Sequence, residues 1–179
     1  MKKKLIIAII GISTLVLGTT YAWFTWDISL DIEGTTECFE VNYVKGKDIG
    51  SNENKKTLML GKNYFDGLST TVQVNLKDTC DITSGTGTLY LNTETSTSEE
   101  LLKSNALKYN VMQGNEPVAT GTINSTGKNI IYGDFDITTT ISSITIYVWI
   151  DSALITENNY EKILSSTYYG NISLDVESR

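Results

Sequence analysis

Residues 143–151, SITIYVWID, constrain the fold more than any other stretch. Ile144, Ile146, Val148 and Ile150 recur at period two, and Tyr147 and Trp149 fill the alternate positions. Alternation of this kind reads as a strand, and a strand apolar on both faces belongs in the middle of a sheet or sandwich. The same period returns along the chain. Val72, Val74 and Leu76 alternate with Thr71, Gln73 and Asn75, and Leu107, Tyr109 and Val111 alternate further on. Ile172, Leu174 and Val176 close the chain in the same way. Turn chemistry separates these runs at Asp66-Gly67, at residues 84–87 (SGTG), at Gly114-Asn115 and at Thr126-Gly127-Lys128. The SGTG turn leads into a strand over residues 88–92.

One convincing helix interrupts the pattern. Thr97 with Glu100 three residues later has the form of a capping box, and predicts a helix from residue 98 to about 106 that packs Leu101 and Leu102. A further helical turn is read at residues 160–164. About nine strands, one crossover helix and no alternation of strands with helices predict an all-β fold: an antiparallel β-sandwich with jelly-roll or Greek-key connections. Residues 23–179 form that single domain.

Residues 1–26 set where the domain resides. Lys2, Lys3 and Lys4 precede an apolar run over residues 5–17, and the first acidic residue is Asp27. A positive start, an apolar core and a small residue at a cut site mark an export signal, here cleaved between Ala22 and Trp23. The uncharged stretch from Lys4 to Asp27 is also long enough, at ~1.5 Å per residue, to cross a bilayer as an uncleaved anchor. Residues 1–22 are thus a signal peptide or a membrane anchor, with residues 5–26 in contact with the membrane before or without cleavage. Both readings put the rest of the chain outside the cell.

The formal charge of −7 becomes more negative once the three leading lysines are set aside. Nucleic-acid binding is therefore not expected, because phosphates require clusters of Lys and Arg. The chain has no histidine. That removes Ser-His and Cys-His nucleophile pairs, the HExxH zinc site and histidine acid–base work. No cofactor, metal ligand set or catalytic group stands out, and we expect no enzyme. Asp27, Asp31 and Glu33 cluster, as do Asp134 and Asp136, but neither group has the spacing of a calcium loop. They read as solvent-face charges. Cys38 and Cys80 are the two cysteines, and in an oxidising compartment they predict one disulfide. Trp149 is expected in the core, and residues 45–56 in a long polar surface loop.

The segment Gly18-Thr19-Thr20-Tyr21-Ala22-Trp23-Phe24, placed after the lysines and the apolar run, resembles the export signal of the TasA/camelysin family of Gram-positive surface and biofilm-fibre proteins. In that family a G-T-x-A-x-F pattern spans the cut made by a dedicated signal peptidase of the SipW type. Residues 169–176 (YGNISLDV) are similar to the family's closing strand, and residues 147–151 to the strand before it. The resemblance implies a secreted jelly-roll subunit that assembles into fibres by passing an N-terminal strand to its neighbour. Residues 23–33 would do so here, with Ile28, Leu30 and Ile32 as the apolar side of the assembly strand. An alternating strand released at a new N-terminus is also, by itself, suited to complete an open sheet edge. Some members of the family are described as proteases, and without histidine a zinc-protease role finds no support in this chain.

The expectation is an exported, non-catalytic structural or adhesive cell-surface protein. Its partners would be a signal peptidase, transiently, and then further copies or other surface proteins. The alternative is a monomeric, membrane-tethered binding module that presents residues 45–56 and 92–97 to a carbohydrate or protein ligand.

Overall fold

The computed structural model describes residues 22–26, 32–33, 38–44, 56–58 and 60–179. It is mostly β, built as two packed sheets with two short helices. In chain order the strands are β1 (Ala22–Trp26), β2 (Ile32–Glu33), β3 (Phe39–Val44), β4 (Lys56–Leu58), β5 (Leu60–Gly61), β6 (Leu68–Leu76), β7 (Gly85–Thr93), β8 (Leu107–Gln113), β9 (Glu116–Thr122), β10 (Gly127–Ile137), β11 (Ser142–Asp151) and β12 (Thr167–Ser178). Helix α1 (Glu99–Lys103) carries the chain from β7 to β8, and α2 (Tyr160–Leu164) precedes β12. One sheet has the order β10-β7-β12-β1-β4, with β2 also on β12. The other has the order β3-β6-β11-β8-β9, with β5 also on β11.

The number of strands exceeds the expected nine because short pieces join the sheets at β1, β2, β4 and β5. Among the described residues three pairings are parallel, namely β1 with β12, β2 with β12 and β5 with β11. The remaining pairings are antiparallel, as alternation with short turns predicts. The strand read from residues 143–151 takes the central place expected of it, between β6 and β8.

The core lies between the sheets. Alternate residues of β6 and β7 point into it, and both strands repeat buried and half-buried positions along their whole length. Val72, Val74, Leu89, Leu91, Ile144, Ile146, Ile172 and Leu174 are all essentially inaccessible. Burying one such side chain contributes roughly 1.5–3 kcal/mol. Leu101 and Leu102 of α1, with Ile163 of α2, extend the same core.

Four local expectations are corrected. Residues 84–87 do not form the turn: Gly85 and Gly87 belong to β7, where a Cβ would meet the rings of Phe39 and Phe135. Glycine in a strand marks such a close approach. The capping box of Thr97 and Glu100 does not form either. Thr97 Oγ1 accepts the Tyr169 N–H at 2.9 Å and donates to the Tyr169 carbonyl at 2.9 Å, so it is committed to β12. The helix begins after Ser98 and ends at Lys103, closed by Asn105 in the left-handed region at φ +57. Finally, the turn expected at Thr126-Gly127-Lys128 is already strand from Gly127, and β10 runs on through Gly133-Asp134 to Ile137, its register shifting at two irregularities. The β8–β9 turn is as expected, with Gly114 at φ +60 in the first position of a two-residue loop. Pro117 falls in β9, an edge strand, where its missing N–H costs no ladder bond.

Candidate functional site

β12 is the strand on which the N-terminal segment rests. On one side it pairs antiparallel with β7 from Gly170↔Thr93 to Ser178↔Gly85. Its other side is covered by two short parallel pieces. β1 runs from Trp23↔Thr167 to Trp26↔Gly170, and β2 pairs Ile32↔Leu174 and Glu33↔Asp175. β4 flanks β1 on its far side. Of the residues assigned to export and assembly, Ala22 and Trp23 therefore open β1 and Ile32 lies in β2. Ile28, Leu30 and residues 1–21 lie outside the described residues.

Beyond β2, the covalent tie is Cys38–Cys80, with Cα atoms 5.6 Å apart. The expected disulfide is present. It joins the start of β3 to the turn after β6, where the Lys77 N–H also donates to the Cys38 carbonyl at 2.9 Å. β3 is thereby fastened to β6 at the end where the pair begins.

Of the two proposed ligand loops, residues 45–55 lie outside the described residues. Residues 92–97 are not a free loop. Asn92 and Thr93 are in β7, and Asn92 Nδ2 donates to Asn171 Oδ1 at 2.7 Å and to Ser173 Oγ at 3.0 Å. The Glu94 N–H donates to the Tyr169 carbonyl at 2.9 Å, and Thr97 is tied to the same residue. Backbone partners on β12 hold this stretch down.

Among the described residues the acidic groups do not converge. Asp27 and Asp31 lie outside the described residues, and Glu33 is in β2. Asp136 pairs with Arg179 at 3.2 Å, and no group of three metal-ligating side chains occurs among the described residues.

A second feature was not foreseen. Trp149 is buried, but on the outer face of its sheet, not between the sheets. The segment leading out of β5 folds over it, ending in a one-turn 3-10 helix, Tyr64–Asp66. Asn63 Oδ1 caps that turn by accepting the Phe65 N–H at 2.9 Å, and Asp66 Oδ2 accepts the Lys62 N–H at 2.8 Å. Gly67 then passes so close to β11 that a Cβ there would lie 2.4 Å from the Val148 carbonyl oxygen. The turn sets down an aromatic cluster. Ring centroids are 4.1 Å apart for Tyr64–Phe65, 5.2 Å for Tyr64–Tyr147, 6.0 Å for Phe65–Tyr147 and 6.3 Å for Tyr64–Trp149. Phe65 is nonetheless 68 % exposed. The sequence signal was available in Tyr64-Phe65 before an Asp-Gly pair. Periodicity alone could not say which face the turn would cover.

Compared with protein-family models the chain matches none, and a search of curated proteins finds no match either.

Proposed function

We propose that the protein is an exported, non-catalytic structural or adhesive cell-surface subunit of the TasA/camelysin kind, assembling by exchange of its N-terminal strand. The reading rests on the N-terminal signal pattern. The observation that carries it is the way β12 is completed. One side of this central strand is covered over Thr167–Gly170 and Leu174–Asp175 by β1 and β2, two short parallel pieces that precede the first disulfide cysteine. An uncovered β12 would present unpaired N–H and C=O groups, which any equivalent strand can satisfy. The same pieces supplied by a neighbouring copy would make the same hydrogen bonds, so exchange adds contacts between subunits with little change within them. Consecutive strands also change sheet repeatedly, as β6–β7, β9–β10, β10–β11 and β11–β12 do, which fits jelly-roll connections.

The test is the N-terminus and assembly state of the protein recovered from its native cell surface. A start at Trp23, with high-mass material that disappears on deleting residues 23–33, is the expected result. An intact N-terminus in the membrane fraction with a monomeric outer domain would overturn it in favour of the tethered binding module.

A further inference from the structure

Two side-chain N–H groups on the outer face of the β3-β6-β11-β8-β9 sheet are buried without any hydrogen-bond partner, Asn110 Nδ2 and Trp149 Nε1. Asn110 is 6 % exposed and Trp149 8 %. Asn110 stands opposite Tyr147 in the β8–β11 register, and Trp149 is two residues from Tyr147 on the same face of β11. The two donors are therefore diagonal neighbours, on the order of 7 Å apart at the backbone. The turn bearing Tyr64 and Phe65 packs on both strands. Partnerless buried donors are uncommon and costly in native proteins, so each calls for a reason.

We propose that this face is a carbohydrate-binding site, in which a pyranose ring stacks on Phe65 and Tyr147 and an N-acetyl carbonyl accepts hydrogen bonds from Asn110 Nδ2 and Trp149 Nε1. Its chemistry supports an acetamido sugar in three ways. The orphan groups are both N–H donors, so the ligand must bring an acceptor, which an amide carbonyl supplies. The exposed ring offers the apolar C–H face of a sugar a stacking surface of the right polarity. The rest of the face carries hydroxyls for the rim of a sugar: Ser69 lies across from Tyr147, Thr71 Oγ1 and Thr145 Oγ1 are 2.9 Å apart, and Lys108, across from Trp149, is taken up by Thr122 Oγ1 at 2.6 Å. Asp66, the carboxylate on the turn, is occupied by backbone N–H groups.

A proline-rich peptide would also bring carbonyls and ring contacts. It has few donors for the rim hydroxyls, however, whereas sugar hydroxyls both give and accept. Binding in this way requires the Tyr64–Phe65 edge to yield enough for the acetamido group to reach the two N–H groups. This inference is independent of strand exchange.

The experiment is calorimetric titration of the full-length protein with a β-1,4-linked tetramer of N-acetylglucosamine. The matching glucose tetramer and a proline-rich decapeptide serve as comparisons. The acetylated tetramer is expected to bind, and the glucose tetramer to bind more weakly. Phe65→Ala and Asn110→Leu should each weaken the acetylated ligand by roughly tenfold or more, as truncating an anchor does. Phe65 is exposed, so its variant keeps the test open should Asn110→Leu fail to fold. Absence of binding at millimolar sugar, unchanged affinity in Phe65→Ala, or binding of the peptide alone would each overturn the proposal. Deleting residues 23–33 should leave the affinity intact, which separates this result from that of assembly.

Discussion

The Tyr168 hydroxyl meets Thr93 Oγ1 at 3.1 Å inside the sandwich, joining β12 to β7. Burial pushes this phenol well above its ordinary pKa of 10.0, outweighing the opposing hydrogen bond from Thr93. The unfolded chain releases the proton near 10 while the folded chain keeps it. The stability is therefore complete below about pH 10 and is lost as pH rises above it. Tyr90, Tyr109 and Tyr132 are raised as well, each chiefly by burial, and share the effect. Urea midpoints should thus hold steady to about pH 10 and then fall. Tyr168→Phe should flatten the fall, and an identical alkaline limb in wild type and variant would remove Tyr168 from the explanation.

A second prediction concerns Gly87 and Phe135. A Cβ at residue 87 would lie 2.3 Å from the Phe135 ring, which is itself stacked on Tyr132 at 5.0 Å. Gly87→Ala should cost about 1–3 kcal/mol by overpacking. In a Phe135→Leu background the same change should cost clearly less, because the two sites share one contact. Strict additivity of the two substitutions in denaturant melts would argue against the contact.

The glycines of β7 also show where the sequence stops being legible. Alternation places Leu89 and Leu91 on one face, and that is enough to find the core. It cannot distinguish a glycine that turns the chain from one that makes room for a ring, since the ring belongs to residue 39 or 135. The same limit applies at Thr97. Its spacing to Glu100 is a local signal, but the Oγ1 is claimed by Tyr169, far away in sequence. For β1 and β5 the difficulty is length: two to five residues carry no periodicity, and only their neighbours on β12 and β11 define them. The strands with a full alternating pattern, β6 and β11, were legible almost to the residue. The aromatic face was not, because it depends on which side of β11 the turn at Tyr64–Asp66 falls.

The Cys38–Cys80 bridge closes a separation of 42 residues. On the chain-entropy model, its removal costs ~4 kcal/mol. Replacing both cysteines by alanine should lower the urea midpoint, and adding reductant to the wild type should reproduce the shift. Mass spectrometry without reductant should find the two peptides linked. Free, alkylatable thiols in the native protein would refute the bridge.

Lys128 meets Asp175 and Tyr90 on the outer face of the other sheet. Its Nζ lies 2.8 Å from Asp175 Oδ2 and 4.2 Å from the centroid of the Tyr90 ring. Both are partly exposed, so the combined contribution is modest, about 1 kcal/mol, and screened by salt. Lys128→Ala should destabilise by that amount at low ionic strength and by less in molar salt. A loss independent of salt would assign the effect to packing of the lysine stem instead.

Asn110 offers the strongest separation of stability from function. Its Nδ2 is buried and unanswered, so the native state carries the desolvation of that group with no compensating bond. Leucine has nearly the same shape and no polar atoms. Asn110→Leu should therefore raise the unfolding free energy by about 1–2 kcal/mol, measured by urea denaturation. Most core substitutions move stability the other way. A residue that weakens the fold where a common apolar one would strengthen it is expected at a working surface, where local consistency gives way to binding. A loss of stability in Asn110→Leu would instead mean that Nδ2 finds a hydrogen-bond partner in solution, and the case for an open donor at this face would fall with it.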